Sequence, residues 1–185
     1  MTESTIKSVA NDEKEHNNDT KNERRKTMTY EKSCGALVIH FDNNNIPYVL
    51  MIKHVSGGHR SFPKGHVEEG ETEHMTAERE VMEETSVRIH IHEKFRHSVF
   101  YSPKPGVKKE VVYFLAYSKY TNAKPHIGEV AEVEWVPLSD AEAALTHEND
   151  KIVLRDAIAY LEEKRARKAA MYAQMADGKK SDSES

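Results

Sequence analysis

Eight glutamates lie close together between Gly65 and Val87, around Arg79, the one arginine of that stretch. Oxygen ligands in such number suit a hard divalent cation such as Mg²⁺ or Mn²⁺. The work that such a cation most often does in proteins is on phosphate groups. The stretch therefore indicates a metal-assisted site for phosphate chemistry.

Three of these glutamates, Glu80, Glu83 and Glu84, are spaced i, i+3 and i+4, so their carboxylates share one face of a helix. The pattern of polar and apolar residues predicts this helix over 72–85. Repulsion between the carboxylates makes the arrangement costly without a counterion, which favours a bound cation. Three apolar residues are expected to pack the opposite side of the helix against a sheet: Met75, Val81 and Met82.

The loop before the helix contributes further candidates. The carbonyl group of Gly65 could complete the oxygen shell of a metal ion. Lys64 is placed to meet a phosphate oxygen. Arg79 can pair bidentately with Glu71 and so tie the loop to the helix, which is a structural role.

The stretch resembles the Nudix box, G-x5-E-x7-R-E-U-x-E-E-x-G-U, in which U is an aliphatic residue. Eight positions match in register: Gly65, Glu71, Arg79, Glu80, Val81, Glu83, Glu84 and Val87. Ser86 departs from the pattern, which has glycine at this position. The helix should end there, and a left-handed conformation costs serine about 1 kcal/mol relative to glycine.

The resemblance implies an α/β Nudix fold, with a mixed β-sheet between α-helices. It also implies an enzyme, a Nudix hydrolase that cleaves a nucleoside diphosphate linked to another group with a magnesium- or manganese-activated water. Glu80, Glu83 and Glu84 would then be metal ligands. One of them, or a later acid, would act as the catalytic base, and the sequence leaves open which.

The surroundings of the box, 61–72, resemble the branch of diadenosine tetraphosphate hydrolases and diphosphoinositol polyphosphate phosphohydrolases. This likeness implies that Lys109 contacts phosphate, that Tyr113 stacks on adenine and that Glu129 is a further metal-binding or basic residue. Glu132 competes with Glu129 for that role. Tyr113 could equally be a core aromatic of its strand, since alternation does not show which strand face meets solvent.

Two residues before the box are weaker candidates for substrate binding. Arg60 stands where that branch often has an aromatic residue, and a guanidinium group can stack on a base or hold a phosphate. His59 is its neighbour, with an ordinary loop histidine as the alternative interpretation.

The preferred substrate is a dinucleoside polyphosphate, cleaved to a mononucleotide and a shorter nucleoside polyphosphate. Nucleoside triphosphates, diphosphoinositol polyphosphates and RNA 5′ ends are alternatives, as is a catalytically silent Nudix module that senses a nucleotide. Five lysines could supply positive charge for any of them: Lys53, Lys64, Lys104, Lys108 and Lys109.

The composition limits the function classes. The chain has 185 residues and a net charge of −4, which gives no reason to expect a stable nucleic-acid complex. The single Cys34 rules out an internal disulfide, and we expect a reducing, cytoplasmic location. No apolar run is long enough to span a membrane, and the oligomeric state is left open.

The predicted organisation is one domain, 28–176, between disordered tails at 1–27 and 177–185, both of which are polar. A β-hairpin is expected from strands 33–40 and 47–53, followed by strands 87–92, 110–117 and 132–136. Besides the glutamate-rich helix, we predict helices at 139–145, with a capping box between Ser139 and Glu142, and at 149–175. The second half of the last helix should project into solvent.

Overall fold

The computed structural model describes residues 28–181, with side chains from 28 to 175. The predicted tail at 1–27 and residues 182–185 lie outside the described residues. The elements follow in this order: β1 Thr29–Phe41, β2 Pro47–His54, β3 Arg60–Ser61, β4 Lys64–His66, α1 Glu73–Thr85, β5 His90–Tyr101, β6 Val107–Tyr117, β7 Val130–Pro137, α2 Ala141–Ala144 and α3 Glu148–Ser181.

One mixed sheet organises the domain, with strand order β3-β2-β1-β6-β5, while β4 also pairs with β1 and β7 with β2. β1 and β6 run parallel at the centre, from Thr29 opposite Val107 to Ile39 opposite Tyr117. The remaining pairs are antiparallel, including the predicted hairpin of β1 and β2. The continuous apolar runs of β1 and β6 follow from burial on both faces.

Helices cover both faces of this sheet, as predicted. Ala77 and Val81 of α1 pack on one face, over β1 residues such as Cys34 and Val38. Residues of α2 and α3 pack on the other face: Ala141, Val153, Leu154 and Ala157. The α/β fold class expected from the sequence is therefore confirmed.

The boundaries of α1 agree with the prediction, but its packing face does not. Thr72 caps the helix by accepting the N–H of Met75 at 3.2 Å, and Ser86 ends it in the left-handed region, with φ 60° and ψ 17°. Met75 is exposed, whereas Ala77, Val81 and Glu84 are buried. Ala77, Val81 and Glu84, at i, i+4 and i+7, thus form the buried stripe of α1, which turns Glu84 toward the sheet. Met75 lies outside this stripe, so the expectation that it packs on the sheet was wrong.

Other elements differ from the predictions in detail. Ser139 and Glu142 form no capping box, because Asp140 precedes α2 and Ser139 donates to its carboxylate at 2.9 Å. The strand expected at 87–92 begins at His90 and continues to Tyr101. The 34-residue α3 extends to Ser181, past the expected end at 175 and into the tail predicted at 177–185. Residues 162–175 are exposed, as expected for the projecting half.

None of the helices within 28–181 has the length and apolar character that crossing a bilayer requires.

Candidate active site

Gly65 and Glu80 make a close contact between β4 and α1. A Cβ atom placed on Gly65 would lie 2.0 Å from Oε1 of Glu80. Any larger residue would displace this carboxylate, so glycine is needed here for close approach. The side chain of Glu80 is partly buried, and its burial raises its pKa, while Arg79 opposes the shift.

Glu84 is the most buried carboxylate of the box, at 7% exposure. Its Oε2 accepts the backbone N–H of Lys64 at 2.8 Å. Burial raises the pKa of Glu84 to about 7 against the attraction of Lys64, and repulsion from Glu80 and Glu129 adds to the increase. The carboxylate therefore lies on the packed side of α1, not on an outward face as the sequence suggested.

Arg79 joins the loop to the helix. Its Nε and Nη2 donate to the two carboxylate oxygens of Glu71 at 2.6 and 2.9 Å, which is the predicted bidentate pair. Arg79 holds the pKa of Glu71 at about 2, assisted by a hydrogen bond from Thr76. Its Nη1 also donates to Glu80 at 2.8 Å and to Glu83 at 3.2 Å. The guanidinium group thus orients the acidic cluster as well as the loop, which sequence reasoning did not foresee.

Glu129 and Glu132, the two candidates for a further metal-binding or basic residue, have different surroundings. Glu129 is exposed and lies near enough to raise the pKa values of Glu80 and Glu84 by repulsion. Glu132 instead accepts from Lys53 at 2.7 Å. Of these two acids, Glu129 is the one whose charge acts on Glu80 and Glu84.

The cluster fits a hard divalent cation in donor type and charge. Within the described residues, no three His, Cys, Asp or Glu side chains already surround one point as a metal site would. Arg79 supplies the positive charge instead, and it turns the exposed Glu83 toward itself. Burial raises the pKa values of Glu80 and Glu84, and repulsion from neighbouring carboxylates adds to both increases, so a nearby cation would stabilise the ionised forms.

A cleft of about 640 Å³ opens on the face of the sheet that carries α3, whereas α1 packs on the other face. Lys64 lines it and reaches Glu84 through its main chain, so it connects the cleft with the acidic cluster. His59 also lines the cleft, with its ring 5.0 Å from that of His147. Lys109 lies nearby, with Nζ 3.3 Å from His66, and burial lowers its pKa.

Two of the expected substrate contacts, Tyr113 and Arg60, interact with other residues of the protein. Tyr113 lines the cleft but is only 1% exposed, packs edge-on against Phe62 and donates its hydroxyl to Asp150 at 3.0 Å, as expected for a core aromatic of its strand. Arg60 forms ion pairs with Glu134 and Glu132 of β7. Both outcomes depend on neighbours that are distant in sequence.

Sequence reasoning missed four side chains that line the cleft: His54, Tyr101, His147 and Asp150. They come from β2, β5 and the start of α3, and only the assembled sheet brings them together. No spacing along the chain could have signalled them, since tens of residues separate these segments.

The arrangement of the box matches a known family. Residues 31–157 match the model of the NUDIX domain. The chain belongs to the Nudix family. This Nudix protein is 30% identical over 120 residues to the mouse asymmetrical bis(5′-nucleosyl)-tetraphosphatase, covering 60% of this chain and 81% of the mouse protein. It is 31% identical over 113 residues to the enzyme of the same name from Caenorhabditis elegans, covering 60% and 81%. The solved C. elegans Ap4A hydrolase binary complex superposes with a TM-score of 0.65 at 27% identity, covering 72% of this chain and 98% of that one.

Proposed function

We propose that this Nudix hydrolase cleaves a phosphoanhydride bond of a dinucleoside polyphosphate such as diadenosine tetraphosphate, with Mg²⁺ or Mn²⁺ as cofactor. The observation that carries the proposal is the pair of carboxylates, Glu80 against Gly65 and Glu84 on the main chain of Lys64, a residue that also lines a cleft of nucleoside size. The names of the mouse and C. elegans relatives support the substrate class.

Different residues of the site would bind the cation, bind the phosphate chain and accept a proton from water. Glu80, Glu83 and Glu84, with the carbonyl of Gly65, would hold the ion. When bound, the ion neutralises charge on phosphate oxygens and lowers the pKa of a water molecule. Lys64 and Lys109 would hold the phosphate chain beside the acids. One carboxylate, from α1 or Glu129, would accept a proton from the water that attacks phosphorus.

The test is a substrate panel with Mg²⁺ or Mn²⁺ in ¹⁸O-labelled water, including diadenosine tetraphosphate, ATP and a diphosphoinositol polyphosphate. We expect AMP and ATP from diadenosine tetraphosphate, with the label in one product. Glu84→Gln should abolish most turnover, while Glu78→Gln, an exposed glutamate of the same helix, should not. Binding of nucleotides without turnover of any pyrophosphate would refute the proposal and favour a sensor.

Three further expectations accompany the proposal. The domain is taken as 28–176, the partners as small-molecule nucleotides or polyphosphates, and the location as the cytoplasm. The last rests on the single, buried Cys34 and stays a prediction.

A further inference from the structure

Asp150 contributes a carboxylate to the lining of the cleft. It lies in the first turn of α3 and is 6% exposed. The hydroxyl of Tyr113 donates to its Oδ1 at 3.0 Å. Burial raises the pKa of Asp150, while the hydrogen bond from Tyr113 and the charge of Lys64 oppose the shift. The carboxylate of Asp150 is therefore largely enclosed and already accepts one hydrogen bond.

The second oxygen of Asp150, Oδ2, can still accept hydrogen bonds. No side chain or backbone group of the described residues donates to it. Among the described side chains, Ser33 Oγ is the only polar atom that is both sealed from solvent and without a hydrogen-bond partner. Oδ2 therefore keeps some exposure, and Asp150 is one of the residues that line the cleft. An ionised carboxylate offers about four acceptor sites, and Tyr113 occupies one.

The walls around this acceptor suit a flat heterocycle. Val99 and Val111 contribute apolar surface, and Tyr101 and His147 contribute rings. The volume of about 640 Å³ lies within the roughly 300–1,000 Å³ that is usual for small-molecule sites. A planar apolar body that carries an N–H donor at its edge would satisfy both the walls and the buried acceptor.

We propose that the cleft holds the nucleobase of the substrate and that Asp150 Oδ2 selects a purine with an exocyclic amino group by accepting its hydrogen bond. This inference rests on the proposed function only in taking the substrate to be a nucleotide. Lys64 lines the same cleft as Asp150, and its backbone N–H donates to Glu84, so a base at Asp150 would direct its phosphate toward Lys64 and the acidic cluster. Asp150 is then a specificity residue that contacts the base and takes no part in bond cleavage.

The first test uses the wild-type protein and two probes that differ by one amino group, AMP and purine riboside 5′-monophosphate. Calorimetry with Mg²⁺ should show that AMP binds about tenfold or more tightly, because a donor to a buried charged acceptor is lost in the analogue. Equal affinities, or no binding of either probe, would overturn the inference. A preference that instead separates AMP from 2′-deoxy-AMP would assign the acceptor to ribose and would also overturn it.

Two variants separate selection of the base from a structural role. Asp150→Asn should reduce the ratio of the two affinities to near one, because its amide can present N–H groups to the cleft while its carbonyl keeps the bond from Tyr113. Tyr113→Phe should keep the ratio, since the carboxylate remains. If Tyr113→Phe lowers the ratio as far as Asp150→Asn does, Asp150 acts only by anchoring Tyr113, and the inference fails.

The outcomes also separate this inference from the proposed function. Hydrolysis of diadenosine tetraphosphate without any preference for the amino group would refute the role of Asp150 and leave the hydrolase in place. A clear preference in binding without hydrolysis of any phosphoanhydride would support Asp150 and refute the proposed function.

Discussion

Replacing Glu84 by glutamine should stabilise the metal-free protein while it removes catalytic activity. Glu84 is 7% exposed, and burial raises its pKa from 4.5 to about 7. Since one pKa unit corresponds to about 1.4 kcal/mol, the ionised side chain costs the fold on the order of 3 kcal/mol. Glutamine removes this charge, and its carbonyl can still accept the N–H of Lys64. Allowing for imperfect pairing of the new amide, we expect a gain of about 1–3 kcal/mol in the free energy of unfolding.

The gain should depend on pH in a defined direction. Below pH 4.5, Glu84 is protonated in both the folded and the unfolded chain, so its burial carries no charge penalty. The penalty grows as pH rises from 4.5 to 7 and is complete above that range, because only the unfolded chain ionises freely within it. Glu84→Gln should therefore be slightly more stable near pH 5 and clearly more stable near pH 8.

Urea unfolding in the presence of a chelator, at both pH values, measures this difference. A protein of this size gains roughly 2–4 °C in melting temperature per kcal/mol, so thermal unfolding gives an independent readout. Glu78→Gln, at an exposed position of α1, is the matched control and should stay within about 0.5 kcal/mol of the wild type. Added Mg²⁺ should stabilise the wild type more than Glu84→Gln.

Two results would refute this reasoning. One is a Glu84→Gln protein that unfolds more easily than the wild type at pH 8 in chelator. The other is a gain of equal size at pH 5 and pH 8, because it could not come from ionisation of Glu84.

Three other substitutions test neighbouring features. Gly65→Ala should lower activity by an order of magnitude or more with little loss of stability, since the new Cβ displaces only the flexible end of Glu80. In the control Gly35→Ala, the new Cβ meets the main chain of the neighbouring strand segment, so the melting temperature should fall. A loss of stability for Gly65→Ala as large as that for Gly35→Ala would contradict this reasoning. Ser86→Gly should raise the free energy of unfolding by about 0.5–1 kcal/mol, because the residue has φ 60°, and a melting temperature several degrees lower would refute it. Arg79→Lys should cost roughly 1–3 kcal/mol through loss of the bidentate pair with the loop, and unchanged urea denaturation would exclude that role.

Local patterns predicted much of the fold. The boundaries of α1, the β1–β2 hairpin and the apolar strand β6 depend on periodicity and turn residues close together in the chain, and they agree with the structure. The capping box at Ser139 was wrong because the competing Asp140 takes the serine hydroxyl, and sequence spacing alone cannot rank such local alternatives.

The candidate site also combines features that local sequence predicts with features that depend on tertiary packing. Glu80, Glu84, Gly65 and Lys64 come from one short stretch, so their spacing determines both their proximity and the class of cation they suit. The burial of Glu84 could not be read from that spacing, since it depends on how α1 rotates over the sheet.

The family, the acidic cluster and the helix that presents it could be inferred from the chain alone, because these properties depend on neighbours within about two turns of chain. The pairing of Arg60 with β7, the enclosure of Tyr113 and the position of Asp150 in the cleft became visible only in the folded protein. Each of these facts depends on contacts between segments far apart in the chain, and the packing of α3 on the sheet sets which side chains meet the substrate cleft.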